Sequence, residues 1–269
     1  MKRILILGAS GFIGGFLYKE LCNFYDTYGT YHTGKIYSGN KHYIHFDIEN
    51  DDVTQILSQL KPNIVISAIR GDFDSQIETH TLLTHYAKQT KCRIIFLSSA
   101  NVFDAFINYP SYEYDKTLSE SRYGRLKIKI ENMLMRLPNS NYVIARLPMV
   151  FGNGSPRIKE LKAFLKEKTA YEVFPNLIMN VTGIDKLVLQ IHYIINRNRK
   201  GIFHLGSTDL VHHDEFIIEL SKKMGFSKPL LKHVYTSNFD RFLAVLPKDN
   251  LLPKHLRYTH FDIIEELKT

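Results

Sequence analysis

The sequence predicts an α/β fold, a doubly wound parallel sheet with a small C-terminal lobe, and three observations carry that prediction. Short apolar runs rich in Ile, Val and Leu alternate with segments of helical periodicity between residues 4 and 145. The stretch Gly8-Ala9-Ser10-Gly11-Phe12-Ile13-Gly14 stands between the first such run and the first helical segment. After Gly152 the pattern changes, and Gly154-Ser155-Pro156 interrupts the chain. Strand–helix–strand alternation implies a parallel sheet covered by helices on both faces, and right-handed crossovers leave the doubly wound order as the default.

Ile4 to Leu7 reads as a buried strand, Phe16 to Phe24 as a helix and Thr27 to Tyr31 as a second, weaker strand. Val53, Ile56, Leu57 and Leu60 fall at i, i+3, i+4 and i+7, one face of a helix. Pro62 follows, and Ile64-Val65-Ile66 is the next strand. Ile77 to Lys91 is helical again, and Ile94 to Leu97 forms a fourth strand that ends at Ser98-Ser99. A helix from about Ser121 to Leu137 leads to a strand at Tyr142 to Ala145. Beyond the break come a lysine-rich helix, Lys159 to Lys168, a stripe of Leu187, Ile191, Ile194 and Ile195, and a strand at Gly201 to Leu205. The remaining residues read as short helices, one of them Glu215 to Met224, stopped by Gly225. The expected organisation is a nucleotide-binding domain over residues 1–152 and a substrate lobe over 153–269, with about 183–206 returning to the sheet.

Composition excludes several classes. Of 269 residues, 44 % are hydrophobic and 23 % charged, which is ordinary for a folded domain and unlike a disordered chain. The formal net charge of +8 suits an anionic ligand such as a dinucleotide phosphate or a sugar nucleotide. The densest basic cluster, Arg197-Asn198-Arg199-Lys200, ends an amphipathic helix, where cations complement the helix dipole with no partner. No nucleic-acid partner is expected. Lys2-Arg3 and the apolar run to Leu17 resemble a secretory leader, but no small-residue cleavage site follows and four glycines lie inside the run. No apolar stretch reaches the ~20 residues of a membrane span. Cys22 and Cys92 form no paired motif and read as reduced thiols, so a cytoplasmic location is expected. The 12 histidines include no metal-binding spacing, and no metal is expected.

The glycine loop carries specific chemistry. Gly8 allows a tight turn after the strand, Gly11 removes a side chain where a pyrophosphate must approach the backbone, and Gly14 lets helix and strand pack closely. Free N–H groups at the helix N-terminus then face the anion. This is the Rossmann dinucleotide fingerprint in its G-x-x-G-x-x-G spacing. Expected cofactor contacts are Gly8, Ser10, Gly11, Phe12, Ile13 and Gly14, with Asp47, Ile48 and Ala68 farther along. An NAD-selective site usually places an acid about 20 residues on, for the ribose 2′-OH. The segment Tyr28 to Lys35 holds none, and Thr30, His32 and Lys35 could instead accept a 2′-phosphate. NADP is therefore expected, with NAD left open.

Tyr-x-x-x-Lys occurs four times, at Tyr31/Lys35, Tyr37/Lys41, Tyr112/Lys116 and Tyr123/Lys127. Only the last begins a continuous helical pattern, in which i and i+4 share a face. A free phenol has a pKa near 10, and a neighbouring ammonium lowers it. The tyrosine can then donate a proton to a carbonyl oxygen as hydride arrives. Tyr123 and Lys127 are also expected to contact the cofactor. Ser99, at the carboxyl end of a sheet strand, is placed to hold that oxygen.

With these residues in order, the chain resembles the extended short-chain dehydrogenase/reductase family over about residues 1–225. Tyr112-Glu113-Tyr114-Asp115 resembles the acidic segment before the catalytic helix, and Tyr123-Gly124-Arg125-Leu126-Lys127 with Glu131 resembles that helix. Arg146-Leu147-Pro148-Met149-Val150-Phe151-Gly152 and Gly201-Ile202-Phe203-His204-Leu205 match later strands. Ser98-Ser99 with Val102-Phe103-Asp104 resembles the branch of dTDP-dehydrorhamnose reductases and related sugar-nucleotide reductases and epimerases. The resemblance implies Ser99, Tyr123 and Lys127 as catalytic residues acting on a nucleotide-linked sugar. Asn101 and Arg157 are expected substrate contacts. The chain departs from that branch at Ala100-Asn101, in having no tryptophan, and in lacking a helix asparagine near Ser75 or Gln76. Two classes stay open. One is a reductase or epimerase of a nucleotide sugar. The other is a cofactor-binding regulatory subunit resembling the regulatory β-subunit of methionine adenosyltransferase. A homodimer is an assembly left open.

Overall fold

The computed structural model describes residues 1–267. In chain order the first elements are β1 (Arg3–Leu7), α1 (Phe12–Leu21), β2 (Asp26–Tyr31), β3 (Tyr43–His45), α2 (Val53–Leu60), β4 (Ile64–Ser67), α3 (Phe73–Thr90), β5 (Arg93–Ser99), α4 (Arg122–Leu134) and β6 (Tyr142–Leu147). There follow β7 (Met149–Phe151), α5 (Pro156–Glu167), β8 (Tyr171–Val173), β9 (Leu177–Met179), β10 (Val181–Gly183), α6 (Ile184–Asn196) and β11 (Gly201–His204). The chain ends with β12 (Val211–His212), α7 (His213–Lys223), β13 (Leu231–His233), β14 (Arg241–Leu243) and α8 (His260–Glu266).

Seven strands form one sheet in the order β3-β2-β1-β4-β5-β6-β11. The pairs β2–β3, β1–β2, β1–β4 and β4–β5 are parallel. The order reverses at β1, which lies between β2 and β4. Ligands of such sheets bind outside the carboxyl ends at this reversal, where the glycine loop begins. The expected doubly wound α/β fold is therefore the one observed.

Two compact units divide the chain. The first comprises Met1–Ser98, Arg125–Ala145 and Ile191–Ile202, the second Ser99–Gly124, Arg146–Gln190 and Phe203–Thr269. This differs from a single boundary at residue 152 and from a return spanning about 183–206. The reason is topological: the chain leaves the sheet at the carboxyl ends of β5, β6 and β11 in turn, so three excursions build the second unit. The first unit packs Leu5, Leu7, Leu57, Val65, Leu83, Ile94, Ile130 and Ile144 into one core. The second has its own core, including Phe151, Leu161, Val173, Phe216, Leu220 and Ile263.

Several boundaries moved for identifiable reasons. Helix α1 starts at Phe12, not Phe16, because β1 and its turn force the entry although Gly14-Gly15 are poor helix formers. Helix α3 starts at Phe73, not Ile77, capped by Asp72, whose carboxylate accepts from the N–H groups of Asp74 and Ser75 at 2.9 and 3.0 Å. Strand β3 was not expected, so the strand ending at Ser99 is fifth in chain order rather than fourth. The last quarter of the chain holds short strands as well as helices: β12-β9-β14 and β13-β8 form small sheets. Strands of two or three residues are too short to show a period.

Three buried histidines make the fold acid-sensitive. Burial, the largest cause in each case, lowers the pKa of His80 to about 4, of His204 to about 3 and of His213 to about 4. In the unfolded chain each titrates near 6.5. The unfolded state therefore binds more protons between these limits, and stability is lost as pH falls through that window. The urea midpoint is expected to drop steadily from pH 6.5 to pH 4, and His80→Gln to flatten the slope. An unchanged slope in that variant would contradict the assignment.

Candidate functional site

In the first unit, the phosphate loop leaves β1 through Gly8, whose φ of +81° is left-handed and suits glycine. A Cβ on Gly14 would run into the carbonyl oxygen of Gly8 and lie 2.9 Å from the Cα of Ala9. Helix α1 and the end of β1 are thus in backbone contact. Gly11 is the N-cap of α1 and offers no capping side chain. The N–H groups of the first helical turn are left for an external acceptor. A glycine cradle at a strand–helix junction, uncapped by its own side chains, fits a dinucleotide pyrophosphate.

The remaining strand ends surround that loop. Ala68 continues from β4, its N–H bonded to the Leu7 carbonyl at 3.0 Å, and its own carbonyl oxygen lies 2.8 Å from where a Gly8 Cβ would be. Ile48 borders Gly71, whose φ is +136°. His32 is largely exposed, and its Nε2 lies 3.5 Å from a carboxylate oxygen of Asp47. Asp47 also accepts from the Asn50 amide at 2.8 Å and the Glu49 N–H at 3.0 Å. These bonds, that from Asn50 foremost, hold its pKa below the usual carboxylate value. An acid therefore does stand at this edge, brought by β3 rather than by the end of β2.

Thr30 needs correction. It is only 2 % exposed, and its hydroxyl accepts from the Gly8 N–H at 2.9 Å. It shapes the glycine loop from beneath instead of facing a 2′-phosphate. The cause is strand alternation, which turns this side chain inward. Thr30→Val is expected to lower stability by about 1 kcal/mol by unpairing that N–H, with Thr30→Ser close to the parent. Equal urea midpoints for the Val variant and the parent would contradict this. The side chain of Lys35 lies outside the described residues.

Where β5 ends, still within the first unit, three successive residues meet helix α4. Lys127 is 5 % exposed, and its ammonium donates to the Leu97 carbonyl at 3.1 Å and lies 4.6 Å from the Phe96 ring centroid. Burial lowers its pKa to about 8; the charge of Glu131 works against that fall and Arg70 adds to it. The Ser98 hydroxyl donates to the Glu131 carboxylate at 2.5 Å, and Glu131 is fully buried. On α3, His80 donates from Nδ1 to the Gln76 carbonyl at 2.6 Å, so its Nε2 accepts from the Ser67 hydroxyl at 2.9 Å.

The second unit carries Ser99, Asn101 and Tyr123. Ser99 caps the short turn Ala100–Phe103: its hydroxyl donates to the Asn101 side-chain oxygen at 3.0 Å and accepts from the Asn101 N–H at 3.2 Å. Helix α4 starts here, with the Gly124 N–H bonded to the Ser121 hydroxyl at 3.0 Å. A Cβ on Gly124 would strike the Asn101 carbonyl oxygen and the Ser119 hydroxyl. Glycine at that position seats the helix start directly on the turn that carries Ser99 and Asn101. Tyr123 is 42 % exposed and open to a ligand. Lys127 follows one turn later on the same helix. Arg157 is exposed in the first turn of α5, where its charge acts on His213 and Tyr171.

Sequence reasoning missed a second buried acid. The carboxylate of Glu113 accepts from the backbone N–H groups of Lys248, Asp249 and Asn250 at 3.0 to 3.3 Å. Arg146, also buried, donates to the Glu113 carbonyl at 2.9 Å. An acid that tethers a distant loop leaves no local pattern. Among the described residues, no group of three or more His, Cys, Asp or Glu could hold a metal ion, and no helix is long and apolar enough to cross a membrane.

The family model described as the RmlD substrate binding domain matches residues 1–251. Methionine adenosyltransferase 2 subunit beta of Bos taurus is 24 % identical over 229 residues, covering 77 % of this chain and 68 % of that protein. The dTDP-4-dehydrorhamnose reductase of Bacillus anthracis str. Ames, solved in complex with NADP, has a TM-score of 0.77 at 20 % identity over 99 % of each chain. The dTDP-glucose 4,6-dehydratase of the same organism, solved with NAD, reaches 0.80 at 14 % identity, covering 99 % of this chain and 95 % of that one. At these identities the two structures share its fold.

Proposed function

Since the chain belongs to the RmlD substrate-binding-domain family, we propose that it is an NAD(P)-dependent reductase of a nucleotide-linked keto-sugar, acting in the cytoplasm. The observation that carries this reading is α4, whose Gly124 packs on the turn that Ser99 caps, with an exposed Tyr123 beside it and a buried Lys127 one turn after Tyr123. The glycine loop would bind the pyrophosphate, and the bound nicotinamide would supply hydride. Ser99 would orient the ketone oxygen by turning its hydroxyl proton from the Asn101 side-chain oxygen to the ketone. Tyr123 gives that oxygen its proton as the carbonyl becomes an alcohol. The Lys127 ammonium, on the same helix face, favours the phenolate left behind. Asn101, bonded to Ser99, and Arg157 are the proposed substrate contacts in the second unit.

NADPH is expected to bind more tightly than NADH, because β2 ends in Tyr31-His32-Thr33-Gly34 with no acid of its own. Asp47, beside His32, narrows the difference. Fluorescence titration of both reduced cofactors tests this, and tighter NADH binding would reject it. Epimerisation of a nucleotide sugar would use the same Tyr123 and Lys127. A second reading, a cofactor-binding regulatory subunit, is favoured by the match to methionine adenosyltransferase 2 subunit beta. It requires cofactor binding without turnover, and loss of NADPH absorbance on adding dTDP- or UDP-linked 4-keto-sugars separates the two.

A further inference from the structure

A buried ammonium needs a compensating charge, or it loses its proton. Two consecutive β5 residues touch Lys127, through the Phe96 ring and the Leu97 carbonyl, and the next, Ser98, donates its hydroxyl to Glu131. Of these, the carbonyl and the ring supply only partial negative charge. Glu131 lies at i+4 from Lys127 on α4, the spacing at which two side chains share a helix face. It is fully buried, so its carboxylate is not screened by solvent. It accepts a hydrogen bond from the Ser98 hydroxyl at the end of β5.

We propose that Glu131, clamped by the Ser98 hydroxyl, is the buried counter-charge that keeps Lys127 protonated, and thus a positioning residue of the candidate site. Its field opposes the effect of burial and of Arg70 on Lys127. The facing group on α3, His80, is itself buried and neutral near pH 7, so it supplies no compensating charge. Phe96 and Ser98 point to the same side of β5. The strand therefore sets both ends of the Lys127/Glu131 pair at once. Any substitution that removes the negative charge lowers the fraction of Lys127 that is protonated near pH 7, and a neutral amine cannot support a phenolate on Tyr123. That consequence for turnover rests on the reduction proposed above; the titration of Lys127 does not.

The test is the titration of Lys127 in the full chain, followed by NMR of isotope-labelled lysine and assigned with Lys127→Met. In Glu131→Gln the midpoint is expected to fall by at least about one pH unit relative to the parent. In Ser98→Ala, which keeps the acid but removes its clamp, a smaller fall in the same direction is expected. This second variant decides the matter if Glu131→Gln does not fold. An unchanged midpoint in either folded variant would overturn the proposal. Should the parent turn over keto-sugars, the basic limb of its pH profile is expected to move with the Lys127 midpoint. A shifted midpoint in a protein that turns over no keto-sugar would leave the counter-charge role standing and remove the reductase reading alone.

Discussion

Replacing Tyr123 with phenylalanine is expected to slow NADPH-dependent ketone reduction by roughly 10²- to 10⁴-fold, the effect of losing a positioned general acid. The affinity for NADPH should stay nearly unchanged. The ring is retained, and the cradle formed by Gly8, Gly11 and Gly14 belongs to the other compact unit. The loss should appear in kcat rather than KM, because the phenolic proton is transferred only as the alcohol forms. Lys127→Met is expected to lower turnover and also to weaken NADPH binding, since a buried ammonium on the first unit's ligand edge would be gone. Single-turnover absorbance and fluorescence titration on the same preparations separate these effects. Full activity in Tyr123→Phe would remove Tyr123 from the mechanism.

The second large effect is expected at Gly14. A side chain there meets backbone on the opposing strand end, the Gly8 carbonyl and Ala9 Cα, not a flexible side chain that could move aside. Gly14→Ala must push α1 away from β1, at a cost of about 3 kcal/mol or more. The displaced helix N-terminus would also no longer point at the pyrophosphate. Thermal unfolding should show a lowered Tm, and added NADPH should restore little of it, whereas NADPH is expected to raise the Tm of the parent. A Gly14→Ala protein with parental Tm and parental NADPH affinity would contradict the close helix–strand contact.

The glycine loop and the helix with Tyr123 and Lys127 were legible in the sequence because their chemistry depends on local spacing. A strand–turn–helix junction and an i, i+4 pair are both visible within ten residues. The order of the sheet followed from the alternation of Ile4–Leu7, Ile64–Ile66 and Ile94–Leu97 with helical stripes. Thr30 was misread because composition shows that a hydroxyl ends β2 but not which face it takes. Asp47 was named as a cofactor contact, but its place beside the β2 end was not legible, for a related reason. Asp47 follows β3, a strand too short to announce itself, and comes beside His32 only through sheet pairing. Glu131 was legible as part of the helix that resembles the catalytic one, but nothing in the chain marks it as fully buried under Ser98. The second unit was the least legible. It is assembled from three separate excursions, and Glu113 reaches Lys248 to Asn250 across 135 to 137 positions of chain.

Single-turnover oxidation of bound NADPH tests the central claim most directly. The 269-residue chain, saturated with NADPH, is mixed with dTDP- and UDP-linked 4-keto-sugars, and loss of reduced nicotinamide absorbance is followed together with the sugar product. The proposed function predicts stoichiometric oxidation with at least one of these sugars, yielding the alcohol, and its suppression in Tyr123→Phe. Tight NADPH binding with no oxidation by any keto-sugar in the panel would contradict it and favour the regulatory-subunit reading.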